Sequence, residues 1–164
     1  MKKNFKRILI ALLALLIIIQ IFRPAKNKSD KFSVNDISTK YKVPENVANI
    51  LKTSCYDCHS NNTVYPWYAE VQPVAWWLNN HITEGKKELN FSEFASYQIR
   101  RQYKKLEEIN DQVKKDEMPL KSYLIIHTYA KLDSQQKSSI TNWVNLLRDS
   151  MKANYPPDSL KRNK

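Results

Sequence analysis

A chain of 164 residues has room for one domain plus extensions, and a formal net charge of +11, from 27 Lys and Arg against 16 Asp and Glu, favours anionic surfaces. Lipid head groups or an acidic protein partner fit that excess. Nucleic acid does not: no helix-turn-helix or RNP pattern occurs, and runs of mixed sign such as Lys104, Lys105, Glu107 and Glu108 read as a solvated helix face.

The first feature along the chain is an apolar block, Ile8 to Phe22, preceded by Lys2, Lys3, Lys6 and Arg7. Its length of about 15 residues is short for a free-standing membrane helix and long for the core of a signal peptide. Gln20-Ile21-Phe22-Arg23-Pro24 offers no small residues for a signal peptidase. Residues 1–25 are therefore expected to be an uncleaved membrane anchor, with cleavage as the alternative. Arg23, Lys26 and Lys28 follow the block almost as densely as cations precede it, so charge alone does not set its orientation. Residues 26–41 are polar, lack a sustained apolar period and read as a tether. Residues 42–152 form the domain, and residues 153–164, with Pro156-Pro157 followed by Lys161, Arg162 and Lys164, read as a disordered tail.

Within the domain the apolar positions mostly follow a helical period and glycine occurs once, at Gly85, so an all-α fold is expected. Pro44 can sit in the first turn of a helix carrying Val47, Ile50 and Leu51 toward Cys55. Both cysteines then fall in Cys55-Tyr56-Asp57-Cys58-His59. This spacing reads as a covalent haem c attachment site. On a helical turn, cysteines three apart share a face, where their thiols can add to the two vinyl groups of one porphyrin, and His59 stays on that side to offer a nitrogen to the iron. Zinc is poorly supplied, because His81 and His127 are the remaining histidines and neither lies in a paired pattern. A thioredoxin-like pair wants a βαβ context, and a structural disulfide gives no reason for the adjacent histidine. Two cysteines committed to thioethers also suit an oxidising compartment, since no spare thiol is left to mispair.

Pro73 can open a second helix that buries Val74, Trp77, Leu78 and His81 and stops near Gly85. Ser92 can cap the next region, after which Ile99, Tyr103, Leu106, Ile109 and Val113 form one stripe. A last helix starts at Asp133, with Gln136 three residues on, and buries Ile140, Trp143, Val144, Leu147 and Met151. The links are short, as in a compact helical bundle around a cofactor.

The distal ligand decides whether a histidine-held iron is reactive or suited to electron transfer. Met118 lies in Asp116-Glu117-Met118-Pro119, a loop where a methionine has little reason to be core. It is the leading candidate, ahead of His81 on the second helix, His127 near a helix start, and an open site. Aromatic residues, chiefly Trp67 and Trp77 with Tyr65, Trp76 and Trp143, can pack on the faces of a porphyrin, although core packing explains each singly as well.

Five stretches together resemble one family. They are Cys55-Tyr56-Asp57-Cys58-His59-Ser60-Asn61, Tyr65-Pro66-Trp67-Tyr68, Gln72-Pro73-Val74-Ala75-Trp76-Trp77-Leu78, Phe91-Ser92-Glu93 and Glu117-Met118-Pro119-Leu120-Lys121-Ser122-Tyr123. In this order they are similar to the Bacteroidetes-type haem-binding domain proteins of c-type cytochrome character. The resemblance covers nearly the whole domain. It implies a variant of the mono-haem cytochrome c fold, one haem c per chain, Cys55 and Cys58 as thioether positions, His59 as proximal ligand and Met118 as distal ligand. The opening of the closing helix, Asp133-Ser134-Gln135-Gln136, is less acidic than such proteins usually show.

Bacterial c-type cytochromes carry haem outside the cytoplasmic membrane, so the resemblance places the domain on the periplasmic side of an inner-membrane anchor. The expected activity is single-electron transfer with a redox partner protein, without a catalytic residue. The alternative is a haem enzyme or gas sensor, such as a small peroxidase-like protein, with an open or displaceable distal ligand.

Overall fold

The computed structural model describes residues 2–161, so Met1 and residues 162–164 of the expected tail lie outside the described residues. Every regular element among them is helical. The helices are α1 (Lys2–Ile19), α2 (Ile37–Lys40), α3 (Glu45–Ser54), α4 (Tyr56–His59), α5 (Val74–Glu88), α6 (Ile99–Lys114), α7 (Lys121–Leu124), α8 (Ser134–Asn154) and α9 (Pro157–Leu160), with 3-10 turns at Trp67–Glu70, Phe91–Ser96 and Thr128–Ala130.

The principal core lies where α6 packs along α8 and both meet α3. Tyr103, Leu106, Ile109 and Val113 of α6 recur at helical spacing and bury one stripe, as their sequence period requires. Ile140, Trp143, Val144 and Met151 of α8 face them. The start of α8 has the capping box its sequence predicts: Asp133 accepts the Gln136 backbone N–H at 2.7 Å, and Gln136 Oε1 accepts the Asp133 N–H at 2.9 Å. Val47, Ile50 and Leu51 of α3 close the core, with Pro44 at the capping position just ahead of the first turn. The 3-10 turn that supplies Phe91 and Phe94 is capped by Asn90, whose side chain accepts the Ser92 N–H, where the sequence suggests Ser92 as the cap. A smaller cluster of Ala69, Leu78 and Ile82 sits beneath Cys58, Tyr65 and Tyr68.

Three expectations about the periphery are corrected. No helix among the described residues is long and apolar enough to cross a membrane, so the expected spanning anchor is not found. Lys3, Lys6 and Arg7 belong to α1 itself, and the helix ends at Ile19. From Ile8 to Ile19 it covers about 18 Å, against about 30 Å of hydrocarbon. It stops there because the exit is fastened to the domain: the Gln20 amide donates to the Leu16 carbonyl at 2.8 Å, the Gln72 N–H donates to Gln20 Oε1 at 2.9 Å, and Trp76 Nε1 donates to the Phe22 carbonyl at 2.7 Å.

The expected tether is part of the domain. Asn27 Nδ2 donates to the Ser60 carbonyl at 2.9 Å, Asn35 Nδ2 donates to Glu93 at 3.0 Å, and Ile37 is fully buried in the principal core. A polar strap with one apolar plug has no period for a sequence reading to detect. The expected disordered tail likewise begins inside α8, and α9 packs against α6 with Leu160 buried.

Helix α5 is rotated from the expected face. Leu78 is buried as expected, but its buried companions are Ala75 and Ile82, while Val74 and Trp77 are exposed, His81 is half-buried, and the helix runs through Gly85 to Glu88. Gly85 is there for proximity. A Cβ at that position would lie 2.8 Å from the Cys58 carbonyl oxygen and 3.2 Å from Cys58 Cβ, both fixed by α4. Gly85→Ala gains helix propensity of about 1 kcal/mol yet forces α4 away at an overpacking cost of about 1–3 kcal/mol. The expected outcome is a lower denaturant midpoint and a reduced yield of haem-loaded protein. An unchanged midpoint would show that the close approach is dispensable.

Candidate haem groove

Cys55 sits at the junction of α3 and α4, where its φ of −128° breaks the longer helix and starts the short one. The Cys58 and His59 N–H groups both donate to the Cys55 carbonyl, at 3.2 and 3.0 Å, and hold the pentapeptide as a single turn. Both cysteines are free and half-buried as residues. Burial pushes the Cys55 thiol up to about 12, with Cys58 adding to it, and pushes the Cys58 thiol up to about 11, with the Asp57 carboxylate adding. They are therefore neutral S–H groups at any ordinary pH.

His59 is oriented by backbone. Its Nδ1 lies 2.9 Å from the carbonyl oxygens of both Gly85 and Leu89, at the end of α5. Two acceptors at one nitrogen place the proton on Nδ1, which leaves Nε2 with its lone pair available to a metal. Burial holds the imidazole below the usual histidine range, and the Lys105 ammonium acts in the same direction. The side chain is thus presented as a neutral ligand.

Two cavities adjoin at this point, of about 280 and 270 Å3, and both are bounded by Cys55, His59, Glu88 and Met118. The first also contains Cys58, His81 and Tyr123. The second runs between α3, α6 and α8 and is walled by Leu51, Phe91, Ile109, Val113 and Ile140. Each alone is below the usual size of a ligand site, about 300–1,000 Å3, whereas the joined groove is within it. At its rim the Lys105 amine donates to Glu88 at 3.0 Å and to Glu108 at 2.6 Å.

Met118 comes to this groove on a strap between α6 and α7. Asp116, at φ +57°, turns the chain, and the Glu117 and Met118 N–H groups both donate to the Gln112 carbonyl, at 2.9 and 3.3 Å. The candidates Cys55, Cys58, His59 and Met118 are therefore brought together. So is His81, which borders the first cavity with Nδ1 2.9 Å from its own helix's Trp77 carbonyl. His127 is elsewhere: it is buried, its Nε2 lies 2.5 Å from the Tyr68 hydroxyl, and its Nδ1 lies 2.7 Å from the Tyr129 hydroxyl.

The tryptophans are corrected. Trp67 is 81% exposed and Trp77 46% exposed, and neither borders the groove; the Trp77 ring lies against His81, with centroids 4.2 Å apart. Trp143 belongs to the principal core, donating to the Lys42 carbonyl, and Trp76 serves the α1 exit. The groove is walled instead by Leu51, Phe91, Ile109, Val113 and Ile140 of the principal core. Sequence reasoning also missed the Gly85 and Leu89 carbonyls and the wall residue Leu51. The one available signal was that the domain's single glycine lies on the helix after the motif.

The residues present fit a haem. A mostly apolar groove is bordered by two thiols three residues apart, a histidine with a free Nε2, and a thioether. Among the described residues there is no cluster of three or more His, Cys, Asp and Glu that could hold a metal ion directly, so a zinc site has no ligand set. These features define a small all-α protein built around a planar cofactor. A family model described as a haem-binding domain matches residues 14–146, and the chain belongs to that family. It binds haem. No curated protein and no solved structure matches the chain.

Proposed function

We propose that the protein is a cytochrome c-like electron carrier with one covalently attached haem c per chain. The observation that carries this reading is the meeting of Cys55, Cys58, the free Nε2 of His59 and Met118 in one apolar groove. Haem supplies a one-electron couple when bound. Cys55 and Cys58 would be the residues that hold it covalently, each as a neutral thiol whose S–H would add across one vinyl double bond. His59, through its free Nε2, and Met118, through its thioether, would be the two residues holding the iron. The core stripes of α3, α6 and α8 would keep water from the bound group. No side chain in the groove is assigned to acid–base catalysis.

The domain is proposed to work at the outer face of the cytoplasmic membrane, where haem c is attached. Helix α1 exposes Ile8 through Ile18 along its length, with Lys3, Lys6 and Arg7 at one end, and this surface supports attachment to a bilayer without crossing it. The redox partner is proposed to be an acidic protein, in keeping with the net charge.

One preparation tests these points. The full chain, made in a host that matures c-type cytochromes, is expected in the membrane fraction. Its ferric form is expected to show a weak sulfur-to-iron charge-transfer band at the red end of the visible spectrum. Its ferrous form is expected to bind carbon monoxide slowly. A missing band with immediate carbon monoxide binding would support the enzyme or gas-sensor reading, and a wholly soluble protein would remove the membrane from the account.

A further inference from the structure

Asp57 occupies one of the two variable positions of the attachment motif, where haem chemistry imposes no residue type. Its carboxylate is nonetheless committed. Oδ1 accepts the Val64 N–H at 3.0 Å, and Oδ2 accepts the Tyr123 hydroxyl at 2.7 Å. Tyr123 lies five residues after Met118, on α7, and borders the same cavity as Met118 and both cysteines. This hydrogen bond therefore joins the loop that carries the haem to the segment that carries the distal candidate. It crosses directly between them without passing through the cofactor.

The surroundings fix that bond. The Tyr123 ring is stacked on the His127 ring, with centroids 4.2 Å apart and planes 12° apart, and His127 is held by Tyr68 and Tyr129. Burial, followed by the Asp57 carboxylate, raises the Tyr123 phenol far above its ordinary range, so it remains a donor at all working pH values. At the other end the strap is tied by the two N–H donors on the Gln112 carbonyl and by an ion pair of Asp116 with Lys137 at 2.5 Å. Those ties hold the strap to α6 and α8. The Tyr123–Asp57 bond ties it to α4.

We propose that Tyr123 is a positioning residue for the distal ligand, its hydroxyl bond to Asp57 holding the Met118 strap against the haem-bearing turn. The inference rests on the His59 and Met118 reading above. A hydrogen bond to a carboxylate contributes enough that its loss raises the strap-open fraction by about tenfold or more. Carbon monoxide binds ferrous haem only while the thioether is off, so its binding rate reports that fraction.

The test uses the full-chain holoprotein and the variants Tyr123→Phe, Asp57→Asn and Tyr68→Phe. Tyr123→Phe keeps the ring and its stack. It is expected to retain covalent haem, weaken the sulfur-to-iron band and bind carbon monoxide at least about tenfold faster than the parent. Asp57→Asn leaves a neutral, weaker acceptor and is expected to give an intermediate rate, which keeps the test informative if Tyr123→Phe folds poorly. Tyr68→Phe removes a hydroxyl that holds His127 but does not touch Asp57, and is expected to change the rate much less than Tyr123→Phe. A band present in the parent and equally strong in Tyr123→Phe and Asp57→Asn, with unchanged rates, overturns this proposal alone. So does equal acceleration in Tyr68→Phe. A parent without the band overturns the ligand reading and this proposal with it.

Discussion

Replacing Cys55 and Cys58 together by serine is expected to abolish haem retention in acidified organic solvent, while each single replacement leaves one thioether and a coloured protein. The thiols add across vinyl groups through sulfur, and a serine hydroxyl of nearly the same size does not. What remains in the double variant is the His59 coordination and the apolar groove. Acid protonates the imidazole, and the solvent removes the apolar advantage, so nothing then holds the porphyrin. The effect is all-or-none in the extraction. It should also appear in stability, because the groove cuts into the principal core between α3, α6 and α8 and an unfilled groove leaves a cavity beside Leu51, Ile109, Val113 and Ile140. A melting point lower on the order of 10 °C than that of the parent holoprotein is expected. Equal colour after extraction of the double variant and the parent would contradict the thioether assignment.

Met118→Ala is expected to give the second largest change. Haem stays attached, since neither thioether is touched, but the sulfur-to-iron band disappears and ferrous protein binds carbon monoxide at once. The reduction potential falls on the order of 100 mV, a modest part of the roughly 0.8 V that axial ligands span, because a thioether stabilises ferrous iron more than water or a second imidazole does. His81→Ala is the necessary comparison. His81 borders the first cavity too, but Met118 borders both, and His81 is bonded to its own helix. His81→Ala should leave the band and the potential nearly as they are. If the two variants exchange behaviour, the distal ligand is His81.

The parts of the molecule that a sequence reading reaches are those whose cause is local. The Asp133–Gln136 capping box and the α6 stripe are each set by residues within a few positions of one another, and both are found where expected. The cysteine and histidine spacing works in the same way, because one helical turn is enough to align Cys55, Cys58 and His59. Failures occur where a distant contact decides. Helix α5 has two candidate apolar faces, one with Trp77 and one with Ala75, Leu78 and Ile82. The second face wins because α4 approaches to within contact of Gly85, which turns that face inward. Glycine signals a helix end when read locally, whereas here it admits a neighbouring backbone.

Residues 26–41 and the described part of the tail, 153–161, differ from expectation because their attachment rests on single side chains, Ile37 and Leu160, and on polar bonds such as Asn27 with Ser60. Such plugs leave no periodic trace. The tryptophans illustrate the reverse error. Large aromatic residues near a haem motif suggest a wall, but no tryptophan lines the groove and its wall belongs to the main core, so nothing in its spacing separates a cofactor contact from ordinary packing.

The most direct test of the account is the intact mass of the purified full-length protein, taken before and after extraction with acidified organic solvent. The account predicts a mass raised by one haem both times, with the addition mapped to the peptide containing Cys55 and Cys58. A chain at its bare mass after extraction, with both thiols open to alkylation, would contradict it.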